Sequence, residues 1–511
     1  MVWKAFTLRR CTLAAGALSV VVAVAGISRS DEAESEPRGK QGTGLLGLIR
    51  AVVSGAAAVQ SESEDVSIEL DSLAGTDSAE DAGPAEAVTH SRIVKVPIKS
   101  DVRAHSLQNF CLTPEGHAVV LLGLPRYSDG SEAGKASRTG EVRVLSIDEN
   151  GKTQVLQSWK TDFSPQSVNV DKSGVIFVAG DGKIAKFQKD GELIAAVDAP
   201  HLKTLLADRD LLKKRAQEQI EEELASYDQQ VKMLEQMRDA QVKRRADVKK
   251  SATKEKAKEA ESEEAADDEE DPDKDREVEA VQDDGTKVKY FMPSLNNQIK
   301  QMKLQREEQA KQTVEQVVEG IVSRMKIMNA IAIGEKDVFI ASAASKGYGY
   351  DVWRMDHAFE NAEKIVTSLS GCCGQMDIQC DGECVFVAEN SRHRVVKYDR
   401  EGKKVATWGK TDRMGRGAGF GSCCNPMNLR FDQAGTLFTA ESEGKIKKFS
   451  PTGEFQGLIA HVKVEQGCKN VPIAMSTDGK RAYFCDLPGH QLIVAFESDA
   501  AAKPDQSASL K

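Results

Sequence analysis

Aromatic side chains make up only 5% of the 511-residue chain and apolar ones 40%, while 29% are charged. That is lean for a chain packed throughout, so part of it must be solvated. An excess of base is missing too: 69 Lys and Arg stand against 79 Asp and Glu, a net charge of −10. This disfavours a nucleic-acid binder with a dominant basic face. The high charged content and its distribution disfavour a polytopic membrane protein as well. The chain also lacks a Gly-rich phosphate loop, G-x-S-x-G, HExxH and an EF-hand loop. No recognised catalytic constellation is left to organise the reading.

The negative charge is local. Residues 31–90 hold 13 acids and 3 bases, and residues 255–284 hold 16 acids and 4 bases, so the remainder is mildly basic. At the N-terminus Lys4, Arg9 and Arg10 precede an apolar run over residues 11–27, with Ala23-Val24-Ala25 as a small-x-small cleavage site. That layout predicts an export signal over 1–27, hence a periplasmic or cell-surface protein. The rival reading is an uncleaved membrane anchor through residues 11–27, a run at the short edge for a span. Residues 28–90, rich in Ser, Ala, Gly and acids, read as a disordered acidic tether, and 499–511 as a disordered tail.

Self-similarity decides the fold. Four stretches align, starting at Ser164, Cys372, Cys423 and Val471, and two divergent units cover Leu107–Asp162 and Arg324–Leu369. Each reads as a short strand, a turn, an apolar strand, a polar loop, an alternating strand and a second turn. The first turns include Asp381-Gly382 and Asp478-Gly479, the second Asp190-Gly191, Glu401-Gly402 and Thr452-Gly453. Gly and Asp supply the positive φ that such hairpins need. Six units predict an all-β six-bladed propeller, with blades 1 and 2 in 91–200 and blades 3 to 6 in 324–498. The last unit lacks a fourth strand, and the stretch Arg92–Ile98 is a spare one that would close the ring.

The segment VFVAENSRHRVVKYDREGKKVATWG, residues 385–409, closely resembles the repeats of NHL-repeat propellers. The paired cysteines in GCCGQMDI and FGSCCNPMNL look like those of an exported bacterial subgroup of that family. The resemblance is strongest over 370–460. It implies a propeller, and a range of functions from lyases and lactonase-like enzymes to plain binding platforms. It also implies a structural, loop-capping role for the Asn-Ser-Arg-His-Arg loop around His393.

Residues 201–323 fit no blade. A Gly- and Pro-free stretch from Leu205 carries Ile220, Tyr227 and Leu234 seven apart, as are Leu224 and Val231, an a/d seam. A second helix is expected over about 294–318, N-capped by Ser294. With the acidic, disordered centre 255–284 between them, the two form a coiled-coil-like helical hairpin inserted between blades 2 and 3. It packs on itself or makes a homodimer, and serves as a partner-binding arm.

Ten cysteines, nine after Cys11 is removed with the signal, are an odd set for an exported protein. Cys380 and Cys384 flank a tight turn, so a bridge across that hairpin is expected. Cys372, Cys373, Cys423 and Cys424 fall at the same place in consecutive units, where they could form disulfides, remain redox-active thiols, or hold a metal ion. Loops that open on the same face carry Glu389, Asn390, Arg392, His393, Glu441, Glu443, Asp486 and His490, the candidate binding residues. The expected function is a platform for a protein or glycan at the channel face and the helical arm, with no nucleic acid and no cofactor assigned. The alternative is a redox or metal-dependent enzyme using the paired cysteines.

Overall fold

The computed structural model describes residues 88–125, 138–256, 276–281, 287–344, 349–372, 375–464 and 469–498. The expected signal or anchor, nearly all of the tether, Cys373, Cys468 and the tail lie outside the described residues. Among the described residues no helix is long and apolar enough to cross a membrane.

The chain is mostly β and builds a propeller from four-stranded antiparallel sheets, six of them among the described residues. The first comprises Ser106–Leu112, Ala118–Gly123, Gly140–Ile147 and Thr153–Thr161, paired in sequence order. The same order recurs over 167–198, 328–369, 378–408 and 428–461. In the sixth sheet, Ile473–Met475, Arg481–Asp486 and Gln491–Glu497 are completed by His90–Pro97, which pairs antiparallel with Gln491–Glu497. The spare strand thus occupies the place that the truncated last unit leaves open.

Burial falls from the inside of each sheet outward. Ala118–Gly123 and Val385–Glu389 are buried along their whole length, whereas Thr153–Thr161 is exposed over most of its own. Apolar runs therefore form second strands, packed on both faces, and mixed sequences form the solvent-facing fourth strands. The core is a set of wedges between successive sheets. Cys111, Leu121 and Val178 belong to the first, Phe177 and Val338 to the second, and Val352 and Val385 to the third. Phe386 and Phe449 belong to the fourth, Phe438 and Phe484 to the fifth. Val96, Phe110 and Tyr483 make the wedge that returns from the sixth sheet to the first, so the ring is closed.

Four helices follow Leu193–Asp198 and precede Met328–Ile333: α1 (Pro200–Ala207), α2 (Arg209–Lys256), α3 (Leu295–Ala310) and α4 (Val314–Met325). The chain divides into two compact units, Asp228–Gln305 belonging to one and the six sheets to the other. In the sheet-bearing unit Leu212, Ala216 and Ile220 of α2 bury against Val317, Ile321 and Met325 of α4. In the other, Val231 and Leu234 bury against Leu295 and Ile299. The seam residues Ile220, Val231 and Leu234 are thus covered by this chain's own helices. Two expectations are corrected. The second helix is broken at 311–313, because Thr313 opens α4 with a capping box: its side chain accepts from Gln316 N–H and Gln316 answers on Thr313 N–H. The acidic centre is not wholly unstructured, since Arg276–Val281 pairs antiparallel with Lys287–Met292.

Candidate binding face and central channel

The first strands of all six sheets line one central channel, to which Asn109, Ser167, Ile331, Gln379, Asn428 and Ile473 contribute in turn. A small polar cavity of about 20 Å³, room for about one water, lies among these residues. Polar side chains there join one sheet to the next. Asn109 donates to Gln166 O at 3.2 Å, and Ser167 Oγ accepts from Ile331 N–H at 3.0 Å. Asp377 Oδ2 accepts from Leu429 N–H at 2.7 Å and Asn428 Oδ1 from Val471 N–H at 2.7 Å. Buried backbone donors at the channel wall are thereby satisfied. Burial pushes the Asp377 carboxyl up to about 6, against the pull of the Leu429 amide, Asn428 and Arg430.

At the mouth, the expected binding residues are spent on holding loops. Glu389 is 2% exposed; it accepts from Ser370 N–H at 3.1 Å and pairs with Arg394 at 2.5 Å and Arg392 at 3.4 Å. Asn390 Oδ1 accepts from Cys372 N–H at 2.8 Å. His393 sits at φ 53°, a left-handed position, and its Nε2 lies 2.8 Å from Ser422 O. That contact ties the fourth sheet to the loop that enters the fifth. Glu441 is corrected from a ligand-facing residue to a buried one, 1% exposed and paired at 2.5 Å with Lys447, itself fully buried. Burial pushes the Glu441 carboxyl up, and Lys447 opposes it. Glu443 accepts from Asn425 Nδ2 at 2.7 Å, and Asn425 Oδ1 accepts from Ser442 N–H at 2.8 Å. Asp486 stays within its own sheet, accepting from Gln491 at 2.8 Å, and the exposed His490 caps the turn at φ 49°.

Sequence reasoning missed Lys447, Asn425 and Asp377. Lys447 carried a weak signal. It stands mid-strand in KIKKF, where a cation points inward only if an acid and backbone carbonyls meet it; here Glu441 and Gly419 O do so. The pair anchors the loop 409–421, which Lys445 also grips by donating to Met414 O at 2.6 Å. Lys410, Arg413, Met414 and Arg416 remain exposed on that loop, Met414 at 65%.

Of the paired cysteines, Cys372, Cys423 and Cys424 are among the described residues, and their sulfurs lie together. Cys424 Sγ lies 2.9 Å from Cys423 Sγ and 2.9 Å from Cys372 Sγ. Four thiolates around one zinc ion stand about 3.8 Å apart, from Zn–S bonds of about 2.3 Å. Cys373, the fourth member of the expected set, lies outside the described residues; the other three sulfurs stand closer than that spacing, and no group of three or more His, Cys, Asp or Glu among the described residues is arranged to hold a metal ion. The expected Cys380–Cys384 bridge is not formed. Cys380 packs into the wedge between the third and fourth sheets and Cys384 into the next one, because the two side chains leave opposite faces of the hairpin. Cys111 and Cys485 are fully buried core residues.

No protein-family model matches the chain, and no curated protein matches it in sequence. Among solved structures it is similar to virginiamycin B lyase from Staphylococcus aureus, at 8% identity and TM-score 0.35, over 80% of this chain and 99% of that one. It is similar to a gluconolactonase from Xanthomonas campestris at 10% identity and TM-score 0.32, over 81% and 100%. A third is regucalcin, a calcium-binding protein from Agrobacterium tumefaciens, at 9% and 0.36, over 81% and 95%. Likenesses this distant say nothing of the chemistry here; the propeller rests on the chain's own sheets and wedges.

Proposed function

We propose that the chain is an exported binding platform: a six-bladed NHL-type propeller with a helical hairpin inserted between blades 2 and 3, whose loop face holds an acidic protein partner. The observation that carries this reading is the loop 409–421. The buried Lys447–Glu441 pair fixes it from below, and it offers exposed Lys410, Arg413 and Met414, with the half-exposed Arg392 on the neighbouring loop. Cationic side chains around an exposed apolar one suit an acidic surface with an apolar anchor. An enzyme is not favoured. Glu389 and Glu441, the carboxylates that the alternative would use, are each engaged by a cation of the same chain.

Calorimetric titration of the full chain with polyglutamate and with dextran sulfate tests the reading. Polyglutamate should bind, more weakly as salt rises, and K410E/R413E should lose tenfold or more in affinity. Equal binding by that variant would sink the face as the site. Binding of dextran sulfate without polyglutamate would replace the protein partner by an anionic glycan.

A further inference from the structure

We propose that Cys423, Cys424 and Cys372 form a thiol relay, which takes a disulfide from outside at the exposed Cys423 and ends as a Cys372–Cys424 bond between two neighbouring loops. The geometry is asymmetric in a way that a structural pair would not need. Cys423 is exposed, Cys424 is fully buried, and Cys372 is half-buried. Cys424 Sγ stands between the other two sulfurs at 2.9 Å from each. Cys372 precedes the fourth sheet and Cys424 the fifth, so a bond between them would join separate loops.

Thiol–disulfide exchange supplies the chemistry, with an external low-molecular-weight or protein disulfide as co-reactant. The Cys423 thiolate attacks that disulfide, forming a mixed disulfide and releasing one thiolate. The Cys424 thiolate then attacks the Cys423 sulfur, forming the Cys423–Cys424 bond and releasing the second. Finally the Cys372 thiolate attacks Cys424 Sγ, the Cys423–Cys424 bond breaks, and Cys423 leaves as a thiolate. In sum, two protein thiols lose two protons and two electrons, and one external disulfide becomes two thiols. Access makes Cys423 the entry, since a buried sulfur cannot meet a bulky disulfide. The remaining described thiols are poor rivals. Burial pushes Cys111 up to about 11 and Cys380 up to about 12, and raises Cys384 and Cys485 as well. The relay does not depend on what the loop face binds.

The test uses the full chain, reduced, desalted and then exposed to oxidised glutathione, with acid quenching and mass mapping of a non-reduced digest. A cross-linked Cys372–Cys424 peptide is expected. C423S should form it at least tenfold more slowly, C424S should retain glutathione on Cys423, and C372S should stop at the Cys423–Cys424 pair. C423S changes an exposed side chain, so its fold should be intact by near-ultraviolet circular dichroism. The relay is wrong if Cys372 and Cys424 stay alkylatable, if Cys424 pairs with any other cysteine, or if C423S keeps pace with the unaltered chain.

Discussion

At the scale of single residues, the charged groups that sequence reasoning offered as ligands are mostly joints. Glu389, Asn390, His393 and Glu441 were legible as a set, because the repeat places them on equivalent loops. Their partners were not. Lys447 and Asn425 reach Glu441 from the strand after it and the loop before it, and nothing local says that KIKKF turns its middle lysine inward. Asp377 is the joint whose titration can be read. Its folded carboxyl titrates at about 6, above the ordinary carboxylate range, so the folded state holds the proton more tightly than the unfolded one. The stability it contributes is therefore fully present below about pH 4 and is lost as pH rises to about 6. Between pH 4 and 7, D377N should gain on the unaltered chain by roughly 3 kcal/mol, from about two pH units at 1.36 kcal/mol each. Denaturant titrations of both proteins across that range check it, and parallel profiles would count against a buried, titrating Asp377.

Among elements, the turns were the most legible part. Gly191 and Gly453, read as second turns of their units, stand at φ 92° and 89°. Their second duty was hidden. A Cβ at Gly453 would lie 2.4 Å from Cδ2 of Trp408, and one at Gly191 would lie 2.7 Å from Cε3 of Trp159. In each case the tryptophan comes from the fourth strand of the preceding sheet, so the bare turn is where one sheet seats the ring of another. Gly435 is the control, at φ 80° with nothing within 4 Å of an added Cβ. G435A should cost about 1 kcal/mol, the backbone term alone. G453A should cost about 2–4 kcal/mol, since ring displacement adds to it, and should shift the tryptophan emission. Equal losses in chemical denaturation would refute the seating role. The helix break at 311–313 escaped notice for a different reason. Thr313-Val-Glu-Gln316 is a capping box, but it is embedded in a stretch whose apolar spacing runs on unbroken.

For the whole molecule, the repeat made the propeller readable because each unit must bury its apolar faces against neighbours, and six such units leave one gap to fill. What periodicity could not reveal is how the units lock: the channel's hydrogen bonds and the sulfur contacts join residues far apart in sequence. Closure rests on Val96, fully buried in the wedge between the sixth and first sheets. V96D, a charge forced into that wedge, should cost about 4 kcal/mol or more and open the seam to protease around 90–98 before the other sheets are cut. Limited proteolysis with timed mass analysis would show it, and digestion that begins elsewhere at an unchanged rate would exclude the seam as the weak point. The seam also sets a timetable. Ser91 and Ser498, which share a hydrogen bond beside it, are 407 positions apart. A ribosome therefore delivers the clasp long before its mate, and in the interval the growing chain carries two raw sheet margins that invite mispairing with other nascent chains.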